Sequence, residues 1–184
     1  ITRPIDAMRH GIAYLPEDRK VDGIVGDLSV RENIILAQQV LRGFFKPFSK
    51  AEANKIAEEY IKLLDIKTAS ADTPIKSLSG GNQQKAIIAR EVEQNDDLLI
   101  AVQPTRGLDV GAIEFIHKQI VKTRDNNKAV LLVSLELDEV MNLSDRILVM
   151  YEGEIVADLN PKETTIQELG LYMAGSKRGE GYEK

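Results

Sequence analysis

Apolar residues change their spacing along the chain, and each change marks an element. Gly11-Ile12-Ala13-Tyr14-Leu15 is a short apolar run stopped by Pro16, which reads as a buried strand feeding the charged loop Glu17-Asp18-Arg19-Lys20. From Val30 the period becomes helical. Val30, Ile34, Ala37 and Leu41 follow the capping box Ser29-Val30-Arg31-Glu32 and predict a helix over 30–41. A second capping box, Ser49-Lys50-Ala51-Glu52, precedes Ala53, Ile56, Ala57, Tyr60, Ile61 and Leu64, the apolar face of another helix. A loop over 68–75 leads to Leu78-Ser79-Gly80-Gly81-Asn82-Gln83, from which a third helix runs through Ile87, Ile88, Ala89 and Val92.

Beyond a turn at Asn95-Asp96-Asp97 the pattern is different. Leu98 to Val102 and Ala129 to Val133 are continuous apolar runs bounded by polar residues, as expected of parallel strands buried on both faces. Between them Ile113, Ile116 and Ile120 put one stripe on a helix. A helix over 137–143, a strand over 146–150, the turn Glu152-Gly153, a strand over 154–159 and a helix over 165–174 complete the order. Strands alternating with helices predict an α/β fold, a parallel sheet covered by helices, and the helical stretch 28–95 reads as an inserted subdomain. The expected division is a discontinuous core of 1–27 with 96–184, the helical insert 28–95, and a polar, disordered tail over 176–184.

Composition narrows the function classes. A net charge of −5 gives no support for nucleic-acid binding. The absence of cysteine removes disulfides, thiolate metal sites and a cysteine nucleophile. No Asp/Glu/His group has metal-ligand spacing, and His10 and His117 read as surface residues. The acidic run Glu136, Asp138 and Glu139 reads as a solvated helix N-terminus. No apolar run is long enough to span a bilayer, so membrane association is expected to pass through a partner. A first residue of Ile rather than Met suggests a fragment.

Candidate chemistry begins at Ser79. The two glycines let backbone approach a ligand closely, and the amides at a helix start favour an anion, typically a phosphate. A lone Ser-Gly-Gly is an ordinary capped helix, so the neighbouring blocks decide. The order of strand and charged loop, helical insert, Leu78-Ser79-Gly80-Gly81-Asn82-Gln83, buried strand ending in Pro104-Thr105, and Gly107-Leu108-Asp109 resembles an ATP-binding cassette (ABC) ATPase over nearly the whole chain. Tyr14-Leu15-Pro16-Glu17-Asp18-Arg19-Lys20, Leu28-Ser29-Val30-Arg31-Glu32-Asn33 and Ser144-Asp145-Arg146-Ile147-Leu148-Val149-Met150 are similar to the second, C-terminal cassette of tandem monosaccharide or nucleoside importer ATPases.

The resemblance implies that two cassettes face each other head to tail and that the signature turn of one closes over the ATP held by the other. Ser79, Gly80, Gly81, Asn82, Gln83 and Asp109 would then contact nucleotide. It implies ATP and Mg as cofactors of the intact protein, with no catalytic or metal-ligating residue in this chain. Implied partners are a first cassette on the same polypeptide and integral membrane permease subunits, at the cytoplasmic face of the membrane. The helical subdomain and the loop from Glu17 to Asp27 would meet the permeases.

Departures from the family pattern are specific. The positions of the magnesium-holding Asp and the water-polarising Glu match Val102 and Gln103, and that of the switch histidine matches Leu135. The loop glutamine matches Glu17, a carboxylate that needs a counter-charge such as Arg19 or Lys20 beside a phosphate. Nothing matches the phosphate loop Gly-x-x-x-x-Gly-Lys-[Ser/Thr]. The expectation is a signature turn supplied in trans by a cassette whose own degenerate site, in the intact protein, binds but scarcely hydrolyses ATP, while the isolated chain is inactive and binds ATP very weakly or not at all, with uncovered sheet edges that favour self-association. With the tail Leu169-Gly170-Leu171-Tyr172-Met173-Ala174-Gly175, these departures resemble nucleoside importers more than sugar importers. The competing reading is a non-catalytic interaction module outside any ATP cycle, which the same losses suit.

Overall fold

The computed structural model describes residues 1–43, 45–92 and 96–179. The chain divides into two compact units, Ile1–Val133 and Ser134–Lys184. In the first, α1 (Pro4–Arg9) leads to β1 (Ile12–Leu15), followed by a π-helical turn over Arg19–Gly23, α2 (Val30–Arg42), α3 (Lys50–Leu63), a 3-10 turn over Ile75–Ser77 and α4 (Gly80–Val92). β2 (Leu98–Val102), α5 (Val110–Asp125) and β3 (Ala129–Val133) complete it. The second unit holds α6 (Leu137–Leu143), β4 (Ile147–Tyr151), β5 (Glu154–Leu159) and α7 (Ile166–Met173).

Both expected capping boxes form. Ser29 and Ser49 accept from the Glu32 and Glu52 amides, and each glutamate reaches back to its serine's backbone N–H. The serine hydroxyls, which also donate to these carboxylates at 2.6 and 2.7 Å, and then the serine backbone N–H groups hold the Glu32 and Glu52 carboxyls below their ordinary range. Helices α2, α3 and α4 pack together as the helical part, with Val30, Ile34, Ala57, Ala86 and Ala89 fully covered. Asn33, also buried, accepts from the Val25 amide (2.8 Å) and donates to the carbonyls of Val25 and Ser29, which fastens the loop over 23–29 to α2.

β1, β2 and β3 form a parallel sheet in that order, with Tyr14 opposite Ile100 and Ile100 opposite Leu131. Its burial corrects one expectation. Ala13, Leu15, Leu99 and Ala101 are covered, but Tyr14 (47% exposed), Leu131 (51%) and Val133 (46%) lie open. The period-2 geometry of a strand puts these three on one face, so continuous apolar runs here mean one covered face and one bare one.

In the second unit, β4 and β5 make the expected hairpin, with a register shift at Val149/Met150. Ile147, Val149, Val156, Ala157, Leu169 and Tyr172 form its core. Glu139 differs from expectation: Glu136 and Asp138 are exposed, whereas Glu139 is buried. A position three residues into a helix faces inward as readily as outward, and composition alone does not say which. The polar tail expected over 176–184 is described as far as Gly179, and its remainder lies outside the described residues, as does Asn95 of the expected turn. Among the described residues, no helix is long and apolar enough to cross a membrane.

Candidate functional site

The Ser79 turn is built from behind by two amide side chains. Asn82 Oδ1 accepts from the Lys67 backbone N–H (2.8 Å), so Asn82 Nδ2 must face Ser79, whose Oγ accepts from it at 2.9 Å. With an oxygen lone pair engaged there, the exposed Ser79 hydroxyl keeps its proton for an incoming acceptor. Gln83 is buried, and its Nε2 donates to the carbonyls of Leu78 (3.1 Å) and Ile75 (3.4 Å). It braces the 3-10 turn from inside, and its Oε1 is enclosed without a partner. The first backbone bond of α4 runs from the Gln83 N–H to the Ser79 carbonyl (2.9 Å). The preceding amides, Gly80, Gly81 and Asn82, are the unsatisfied donors of a helix start.

Asp109 stands beside this turn. Its Oδ1 caps α5 by accepting from the Ala112 N–H at 2.9 Å, and its Oδ2 would lie 3.8 Å from a Cβ placed on Gly81. The same Cβ would come within 3.0 Å of Ala112 Cβ, so α4 approaches α5 at a distance that favours glycine. Ser79, Gly80, Gly81, Asn82 and Asp109 therefore converge on one edge, and Gln83 supports that edge from within.

The charged loop is wired differently from the expected arrangement. Glu17 pairs with Arg106, not with Arg19 or Lys20. Arg19 instead donates from Nη1 to the Arg106 carbonyl (2.8 Å) and lies against Gly80, where a Cβ would be 2.7 Å from its Nη2. Asp18 caps the π-helical turn by accepting from the Lys20 and Val21 amides. Those bonds, from Val21 first and then Lys20, lower its carboxyl, and the charges of Arg106 and Arg19 act in the same direction. Neither contact of Arg19 was legible in the sequence, because its partners lie more than sixty residues away.

The strand end offers little to a phosphate or a metal. Val102 is the last residue of β2, and Gln103 follows it at φ 47° with its N–H on the Val133 carbonyl (2.8 Å). Ligands of parallel α/β sheets gather at the carboxyl ends of strands, and here that end carries a hydrocarbon and a neutral amide. Such a donor set does not fit a hydrated divalent cation. Leu135, two residues beyond β3, is 71% exposed. Among the described residues, no group of three acidic or histidine side chains is placed to hold a metal ion.

Comparison with known proteins gives a consistent result. The family model described as ABC transporter matches residues 2–106. The chain is 54% identical over 176 residues to the guanosine import ATP-binding protein of Bacillus subtilis, with 92% of the chain and 34% of that protein covered. It is 47% identical over 185 residues to the nucleoside import ATP-binding protein of Lactococcus lactis, covering 97% of the chain and 36% of the relative. The chain thus spans about a third of the length of these curated relatives. Among solved structures, a dimeric ATP-binding cassette bound to ADP and Pi superposes with a TM-score of 0.69 at 25% identity, over 83% of this chain and 64% of the other. A nucleotide-free cassette from an ABC transporter gives 0.72 at 19% identity, over 93% and 72%, a likeness of fold.

Proposed function

Because the chain belongs to the ABC transporter ATPase family, we propose that it is the C-terminal part of the ATP-hydrolysing subunit of an importer for nucleosides or simple sugars. It contributes the Ser79–Gly81 turn in trans to an ATP site whose phosphate loop lies on another cassette. The observation that carries this reading is the contrast within one unit. The Ser79 hydroxyl, the first amides of α4 and Asp109 converge on an edge suited to a phosphate, while Val102 and Gln103 leave the adjacent strand end without acid, base or metal ligand.

On this reading the chain is the second of two cassettes in tandem, and its own site is degenerate. ATP and Mg belong to the intact protein, and the chain alone holds neither, since no phosphate loop is present in its sequence. The functional division is a partial core of 1–27 and 96–184 around a helical subdomain of 28–95. Partners are the first cassette and integral permease subunits at the cytoplasmic face of the membrane, met through the helical subdomain and the loop at 17–27. The guanosine and nucleoside importers among the relatives favour a nucleoside as cargo. The bare sheet face of Tyr14, Leu131 and Val133 supports self-association of the isolated chain.

The test is made in the full-length protein assembled with its permeases. Ser79→Arg abolishes transport-coupled hydrolysis, while Val102→Asp combined with Gln103→Glu changes it by less than about twofold. Equal losses from the matching signature substitutions in both cassettes remove the asymmetry. A non-catalytic interaction module, which the Val102 and Gln103 losses also suit, predicts no loss from Ser79→Arg.

A further inference from the structure

We propose that Arg19 is a positioning residue that seats the Ser79–Gly81 turn and locks it to the Arg106–Asp109 loop, so that both approach an opposing nucleotide as one surface. The inference rests on reading that turn as half of a shared ATP site. One guanidinium serves two loops. Nη1 holds the Arg106 carbonyl at 2.8 Å, and Nη2 lies so close to Gly80 that a Cβ there would be 2.7 Å away. The same Nη2 would be 4.0 Å from a Cβ on Gly107. The stem is covered enough that Nε is buried without a hydrogen-bond partner.

Ordinary roles for an arginine do not account for this placement. Among the described residues, Arg19 forms no ion pair, and the carboxylate of the same loop, Glu17, goes to Arg106. A cation beside the first turn of α4 faces the positive end of the helix dipole, so local electrostatics disfavours it. Its shape explains it better: a planar fork can touch two loops at once, which an ammonium cannot.

The base from which Arg19 reaches is itself fixed to the other end of α4. Arg90 Nη1 donates to the Gly23 carbonyl (2.7 Å), and the Tyr14 N–H donates to Glu91 Oε2 (3.2 Å). Gly23 fits so tightly that a Cβ there would lie 2.7 Å from Ile87 Cδ1. The segment over 14–23 therefore grips α4 near its last turn and, through Arg19, meets the turn at its start. A displacement of the charged loop is carried to the Ser79 turn through the Arg19 side chain.

The experiment compares Arg19→Met, Arg19→Lys and Ser79→Arg in the full-length protein with its permeases, by steady-state ATP hydrolysis and by amide hydrogen exchange. Arg19→Met lowers kcat by about tenfold and leaves KM for ATP within about twofold, because the opposing cassette carries the nucleotide. Arg19→Lys behaves like Arg19→Met, since charge without the planar fork does not bridge the loops. Exchange accelerates in peptides covering 78–84 and 104–109 and is unchanged over 112–125. Recovery of more than half of kcat by Arg19→Lys, a rise in KM with unchanged kcat, or unaltered exchange at 78–84 overturns the proposal. If Ser79→Arg stops hydrolysis and Arg19→Met alters neither kcat nor exchange, the positioning role alone fails. If Ser79→Arg leaves hydrolysis intact, the shared-site reading fails.

Discussion

The Ser79 turn and the end of β2 belong to the same unit and differ in what they ask of side chains. The turn offers backbone amides, two glycines and a hydroxyl oriented by Asn82, none of which titrates near neutral pH. At the strand end, any metal or acid–base chemistry would rest on side chains, and those present are the hydrocarbon of Val102 and the neutral amide of Gln103. The turn thus depends largely on backbone, and the strand end carries no titratable side chain. On the proposed reading, such a chain completes a neighbour's site without running its own.

The largest effect expected from breaking this contrast is at Gly81. A Cβ there meets Ala112 Cβ at 3.0 Å, so Gly81→Val forces α4 away from α5 and destabilises the chain by about 1–3 kcal/mol in chemical denaturation. A loss under about 0.5 kcal/mol means that the turn is not pressed against α5 and that its geometry is less constrained than the strand end's.

A perturbed carboxyl does exist on β2's approach, at the opposite end from Gln103. Burial, reinforced by the Glu91 charge and opposed by Lys128, pushes Asp96 up to about 6, and its Oδ2 is buried without a partner. It lies roughly 20 Å along the strand from Gln103, so it supplies no acid to that strand end. Its folded value is above its unfolded one, so the native state binds more protons between about pH 4 and pH 6 and stability falls as pH rises through that window. Relative to Asp96→Asn, the wild-type chain loses about 1–2 kcal/mol between pH 4 and pH 7, read from urea midpoints. A parallel pH profile for the two proteins shows Asp96 to be ionised in the fold, and the strand then carries no raised carboxyl at either end.

Asp109 sharpens the turn's side of the contrast, since one carboxylate both caps α5 and borders Gly81. Asp109→Ala removes the cap and costs about 1 kcal/mol. Asp109→Asn keeps a side-chain oxygen for the Ala112 N–H and restores most of that loss. Failure of asparagine to restore it shifts the weight from the cap to the charge.

Element order was legible because caps and periods are local. Ser29, Ser49 and their glutamates fixed two helix starts from four-residue patterns, and Ser79-Gly80-Gly81 marked the third. The short α1 and the π-helical turn over Arg19–Gly23 carry no comparable pattern, and the bare face of the sheet cannot be seen in an apolar run that reads equally as buried on both sides. At the site, the turn and Asp109 were readable as separate blocks. That Arg106 neutralises Glu17 and that Arg19 reaches Gly80 depend on how α4 and the loop after β2 meet in space, which the spacing of charges along the chain does not encode. Gln83 illustrates the same limit: its place in the motif marks it for the ligand, and its burial turns it toward Leu78 and Ile75.

The smallest expected effect tests whether anything at the strand end still demands its side chain. Gln103 sits at φ 47°, in the left-handed region where an L residue is disfavoured and glycine is not. Its backbone carries the local structure: the N–H is held by Val133, and the carbonyl accepts from the Arg106 N–H at 3.1 Å. Gln103→Gly keeps both backbone bonds and relieves the conformation, against the larger chain entropy glycine loses on folding and the loss of the side chain's own contact, so the net change stays within about 0.5 kcal/mol of zero. Gln103→Val, β-branched at the same φ, loses about 1–2 kcal/mol. Both follow from denaturation midpoints. If Gln103→Gly instead destabilises by more than about 1 kcal/mol, the amide makes interactions that matter there. The strand end would then be specialised for a purpose other than hydrolysis, and its contrast with the Ser79 turn would become one between two working surfaces.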